Sequence, residues 1–212
     1  MDAFWHQLQY YLTHPQAVIY GVASALLYPV LVIEVIALFL VLFEAGRFSI
    51  EMFYRWRARR RIDVEATAKA CAAAPTEPGP VLAMLRTLRN SPVGKRVLAS
   101  FGGGEDLSRS RVLKALADGE LEASKVLERT RILVRFGPIL GLMGTLIPIS
   151  PALVGLASGD VKTLSDNLVI AFSTTVVGLL VGGLAYVVTT IRDRMYRQDV
   201  VDLEYVFDRL EV

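Results

Sequence analysis

Few side chains in this sequence could do chemistry, and those few stand in unusual places. Glu34 is the only charged residue in the apolar run 17–43. An ionised carboxylate at the centre of a bilayer costs at least ~2.5 kcal/mol even on lenient insertion scales, so it must be protonated, paired or in contact with water. Glu34 therefore has two readings: a residue of ion passage, or one end of an interhelical hydrogen bond. Thr145, Thr174 and Thr175 lie in two further runs that carry no charge at all. A Thr hydroxyl does not titrate near neutral pH. It can hold water or orient a carboxylate, but a proton path needs Asp, Glu, His or Lys at membrane depth. In those two runs there is none, so the acceptor must be Glu34 or belong to another protein.

Other candidates carry less. His6 and His14 are eight positions apart, and two His without a third ligand make a poor metal site. Cys71 is the only cysteine. It sits in an Ala-rich stretch without a neighbouring His, which argues against a disulfide framework, a metal cluster or a nucleophile. Gly102-Gly103-Gly104 reads as a linker, because no strand precedes it and no Lys-Ser/Thr follows. The sequence has no Walker loop, dinucleotide glycine pattern or nucleophile elbow. Neither an enzyme nor a bound cofactor or metal is expected.

The elements that must position Glu34 and the threonines follow from composition. Of 212 residues, 53% are hydrophobic and yet 21% are charged. Those figures fit together only if charge is segregated from apolar runs. A hydrocarbon core of ~30 Å needs about 20 apolar residues per helix. Three runs meet that length: 17–43, 136–157 and 168–191. The first lacks a basic leading region and is too long for a signal peptide, so it reads as a retained span. Basic residues set the orientation. Residues 1–16 have none, and the loop between the second and third spans has only Lys162. Arg47, Arg55, Arg57, Arg59, Arg60 and Arg61 follow the first span, Arg129, Arg131 and Arg135 precede the second, and Arg192, Arg194 and Arg197 follow the third. The N-terminus is expected outside and the C-terminus in the cytoplasm.

The expected fold is an all-α membrane protein, with three transmembrane helices and long cytoplasmic helical extensions. Residues 1–16 read as an outer interfacial helix bearing Phe4, Trp5, Tyr10 and Tyr11. Pro29 should kink the first span. Residues 44–135 form a cytoplasmic helical segment. Pro75, Pro78, Gly79, Pro80 and Ser91-Pro92 break it, and a short helix lies over 81–89. A helix over 108–135 then runs into the second span, with Gly119 a candidate interruption. Residues 158–167 form a short outer loop. Residues 192–212 form a C-terminal helix with Val201, Tyr205 and Leu210 as its apolar stripe. The run Arg55-Trp56-Arg57-Ala58-Arg59-Arg60-Arg61 lies just inside a span, where each charge near anionic lipid is worth ~1 kcal/mol. Lipid contact and topology account for it better than nucleic acid.

The second and third runs share a pattern. Small residues recur every three or four positions: Gly137, Gly141, Gly144, Thr145, Pro148, Ala152 and Gly155 in one, and Ala171, Thr174, Thr175, Gly178, Gly182 and Ala185 in the other. Such faces let helix backbones approach closely. They read either as a packing seam or, with three hydroxyls, as part of an internal passage.

Two motifs carry a family resemblance. Pro138-Ile139-Leu140-Gly141-Leu142-Met143-Gly144-Thr145 resembles the P-x-x-G-L-x-G-T motif of ExbB and TolQ proteins. Ala171-Phe172-Ser173-Thr174-Thr175-Val176-Val177-Gly178-Leu179 is similar to their A-L-x-A-T-A-x-G-L motif. The MotA/TolQ/ExbB resemblance implies a pentameric ring around two single-span partner helices of the ExbD/TolR/MotB kind, each supplying an Asp, in the cytoplasmic membrane of a bacterium or archaeon. It implies that Thr145 and Thr175 face that Asp, that Pro138 shapes the entrance to the second span, and that Gly141, Gly144 and Gly178 permit close contact. The chain departs from the family at Ile170, where a Glu is usual, and at Pro148 and Pro151. A non-conducting envelope or secretion scaffold is the alternative.

Overall fold

The computed structural model describes residues 15–59, 63–73, 79–101 and 108–209. The outer aromatic residues, both histidines, Arg60, Arg61, the glycines 102–104 and Leu210 lie outside that set. The described residues are helical and contain no strand. In chain order the helices are α1 (Pro15–Arg59), α2 (Val64–Ala73), α3 (Gly79–Thr87) with a 3-10 turn at Leu88–Asn90, α4 (Pro92–Phe101), α5 (Arg109–Ser158) and α6 (Val161–Phe207). Among the described residues, the three long helices are the ones apolar and long enough to cross a membrane.

Proline usually breaks a helix, because it lacks an N–H and its ring crowds the carbonyl four residues back. Pro29 in α1 and Pro138, Pro148 and Pro151 in α5 nevertheless lie inside continuous helices. Apolar surroundings favour this outcome, since a helix satisfies its backbone polar groups internally where no water can do so.

The chain divides into two compact units. One comprises α1 as far as Val41 together with Leu133–Leu184. There, α5 and α6 form an antiparallel hairpin. The turn is built from Gly159, whose φ of 74° is the left-handed conformation that favours glycine. The amide of Asp160 donates to the Gly155 carbonyl and that of Gly159 to Leu156, which closes the end of α5. Asp160 then caps α6, accepting hydrogen bonds from the Thr163 amide and hydroxyl. The Thr163 hydroxyl, followed by its amide, holds the Asp160 carboxyl below the usual carboxylate range. The loop expected over 158–167 thus shrinks to Gly159 and Asp160, because one Schellman turn followed directly by a cap is enough to reverse the chain.

The second unit comprises Leu42–Ile132 and Ala185–Val212. Its core gathers residues from all the helices that follow α1, among them Val81, Leu85, Val93, Val97, Leu116, Leu127, Leu203 and Phe207. Burying a side chain of this size contributes about 1.5–3 kcal/mol. Phe101 and Phe207 pack ring to ring at 5.7 Å. Gly119 does not interrupt α5. A methyl group there would lie 3.2 Å from Val93 Cγ1 and Val97 Cγ2, so the glycine lets α4 approach. Two helices, α2 and α4, go unforeseen in the sequence. Ser91-Pro92 begins α4 instead of marking only a turn, since proline fits the first helical turn. The C-terminal stripe also needs correction. Val201 and Tyr205 are 57% and 44% exposed, and the buried face of α6 here is Tyr196, Val200, Leu203, Val206 and Phe207.

Candidate functional site

The small faces of α5 and α6 meet in the first unit, and glycine makes the approach possible. A methyl group on Gly137 would lie 2.7 Å from Gly182 N, one on Gly178 would lie 2.6 Å from Gly141 Cα, and one on Gly144 would lie 2.6 Å from Thr174 Cβ. The three pairings step along the hairpin one helical turn at a time. Pro138 closes over the same turn as the Gly137–Gly182 pairing, its Cδ 2.7 Å from where a methyl on Gly182 would sit. Ala171 and Pro148 are buried. Without a water-driven gain from pairing Leu faces, backbone proximity of this kind is what holds membrane helices together.

The three threonines differ in placement. Thr174 is 5% exposed and packs against Gly144, so its place is inside the seam. Its hydroxyl donates to the carbonyls of Ile170 and Ala171. Within one subunit, Gly144 occupies the space that Thr174 faces. Thr145 and Thr175 are half-buried. Thr145 donates to Gly141 and Leu142, and Thr175 to Ala171, at 2.8–3.1 Å. A hydroxyl bonded back to its own helix has used its proton but still offers oxygen lone pairs. Each of these threonines can accept a hydrogen bond from an acid without leaving its helix.

Glu34 stands apart from the threonines. It is 3% exposed and shares a stripe of α1 with buried Val30, Ala37 and Val41. The carboxyl lies within hydrogen-bonding reach of the Gly178 backbone. Its Oε1 is buried and has no partner.

The second unit holds a network of ion pairs that the sequence analysis did not anticipate. On α1, Glu44, Phe48, Glu51 and Arg55 recur every three to four residues, as do Arg192, Tyr196 and Asp199 on α6. Arg192 is 3% exposed and bridges two carboxylates, with Nη1 2.8 Å from Glu44 Oε2 and Nε 3.2 Å from Glu51 Oε2. Its guanidinium lies over the Phe48 ring. Arg55 joins Glu51 at 3.2 Å to Asp199 at 2.9 Å, and lies over the Tyr196 ring. The Tyr196 hydroxyl donates to Glu51, and the Ser91 hydroxyl to Asp199. Burial works against the charge of Arg192, yet the Glu44 hydrogen bond and neighbouring charges outweigh it and hold the guanidinium above its ordinary value. Burial first, then the Glu51 carboxylate, pushes the Tyr196 phenol up. The only advance signal for this network was charge recurring at helical spacing.

Arg55 thus faces acids within the protein, although the basic run assigns it to lipid. Arg57 is exposed. The Arg59 side chain, Arg60 and Arg61 lie outside the described residues. Cys71 is fully buried in the core, and burial pushes its thiol up. Among the described residues, no three His, Cys, Asp or Glu gather as metal ligands do.

The description of the MotA/TolQ/ExbB proton channel family matches residues 92–204, more than half of the chain. Neither the curated proteins nor the solved structures gave a match.

Proposed function

Because this multi-pass membrane chain belongs to the MotA/TolQ/ExbB proton channel family, we propose that it is the ring-forming subunit of an ion-driven stator. Five copies enclose a partner with single membrane spans of the ExbD/TolR/MotB kind, and each partner span brings an Asp. Protons are the default ion. The complex sits in the cytoplasmic membrane of a bacterium or archaeon, with the N-terminus outside and the C-terminus in the cytoplasm. Proton motive force is converted there into mechanical work. Anionic lipid headgroups are the partner expected for the basic run that contains Arg57.

One observation carries this reading. The paired helices α5 and α6 present two half-buried threonines, Thr145 and Thr175, with oxygen lone pairs to offer and no titratable carboxylate in either span. Such a surface can steady a protonated acid but cannot supply one, so it calls for a carboxylate from elsewhere. Glu34, seated on α1, is a second group on the ion pathway. Pro138, Gly141, Gly144, Pro148, Ala171 and Gly178 shape the helix pair that presents the threonines.

Native mass spectrometry of the detergent-extracted chain tests the assembly. It would be run alone and with a co-expressed single-span protein bearing a membrane Asp. The expected masses are five copies alone and five copies with two partners. A monomer or dimer that ignores the partner contradicts the proposal.

A second reading has its own support. The seam from Gly137 to Thr174 is filled by backbone and side chain within a single subunit, as a non-conducting scaffold requires. That reading differs in one consequence: its function would be indifferent to collapse of the proton gradient.

A further inference from the structure

Glu34 is placed as a structural carboxylate rarely is. Its neighbours on the buried face of α1 are Val30 and Ala37, one turn to either side, and Val41 a turn further on, which supply neither a hydrogen-bond donor nor a charge. Across from it lies Gly178, whose backbone is within hydrogen-bonding reach of the carboxyl. The spans 136–157 and 168–191 contain no Asp, Glu, His, Lys or Arg. Their only titratable side chain is Tyr186, which is exposed, and the tyrosines of the first span, Tyr20 and Tyr28, are exposed as well. Among the described residues, no charged side chain of these spans faces Glu34. Its Oε1 is buried without a partner. An ionised carboxylate in such a setting bears the desolvation cost with only the Gly178 backbone hydrogen bond to offset it. A carboxylic acid needs far less. It carries no charge to desolvate.

We propose that Glu34 is itself a proton-binding site of this chain, occupied as the neutral acid while it is seated against Gly178. The ligand is the proton. Release leaves a carboxylate that the apolar stripe cannot hold, so loading and unloading of Glu34 are tied to its contact with α6. The site deepens the conducting reading above and rests on it for its purpose.

The test is carbodiimide labelling of the full chain in phosphatidylcholine vesicles at pH 7, without partner or gradient. Dicyclohexylcarbodiimide reacts with a protonated carboxyl and enters apolar regions. An exposed Glu with an ordinary value near 4.3 is protonated roughly one time in 500 at that pH. Glu34 is expected to label on the order of a hundredfold faster than exposed Glu204, and the modified peptide should disappear in Glu34→Gln. That variant is the amide counterpart of the neutral acid and is expected to unfold at the wild-type temperature. Labelling of Glu34 no faster than Glu204 would overturn the proposal. So would a Glu34→Gln chain that is markedly less stable, since it would mean that the ionised form is the one the fold needs. A chain that labels at Glu34 but conducts no protons with any partner leaves this site standing and removes the conducting reading instead.

Discussion

Arg192 illustrates what a single buried charge demands. Its guanidinium is almost wholly enclosed and holds Glu44 and Glu51 together. Removing one partner of a buried ion pair leaves the others desolvated and uncompensated, at a cost of about 3–5 kcal/mol. Arg192→Ala is therefore expected to lower the unfolding temperature of the detergent-solubilised chain sharply. Arg192→Lys should recover little, because an ammonium is a point charge without the planar fork that reaches both acids. An unchanged unfolding temperature for Arg192→Ala would show that the bridge contributes nothing. Legibility at this scale was uneven, for a physical reason. Glu34 stands out because one charge interrupts an apolar run. Arg192 looked like one more topology-setting arginine at a span end. Its role depends on acids 148 and 141 positions away in sequence, which only folding brings near. Thr174 and Thr175 look alike in sequence, yet one step around a helix puts the first into the seam and leaves the second half-buried.

Helices α5 and α6 depend on closeness more than on complementary shape. Gly178 has Gly141 against it, whereas Gly183, five positions on, has no atom within 4 Å of a would-be methyl group. Gly178→Leu is expected to separate the hairpin and to lower stability or abolish folding. Gly183→Leu should leave stability near wild type, and thermal unfolding of the two side by side decides the matter. Equal effects would mean that the seam does not hold the pair. The long apolar helices and their small-residue faces were readable because length and spacing are local properties of the chain. The short helices α2 and α4 were not. Their signals, Pro92 above all, serve equally to end a helix or to begin one, and the choice falls to core packing by Val93 and Val97. The exposed Val201 and Tyr205 misled for a related reason. A thin stripe guessed from three apolar residues cannot compete with the five-residue buried face that actually meets the core.

At the scale of the whole molecule, the chain is a membrane protein of a proton channel family, with no titratable carboxylate, His, Lys or Arg in two of its three apolar runs. That combination was visible in the sequence. The partner was visible only as an absence, since uncharged threonine faces imply an acid from elsewhere. The ring and the partner together are what the proposed function requires, and proton flux tests both at once. The measurement is proton entry into vesicles containing the chain and its single-span partner, driven by a potassium diffusion potential and followed with a pH-sensitive dye. The account predicts flux well above that of empty vesicles, reduced at least about tenfold (a barrier change of some 1.4 kcal/mol) by Thr175→Val in complexes that still assemble. Flux no greater than in empty vesicles from a correctly assembled wild-type complex would contradict it.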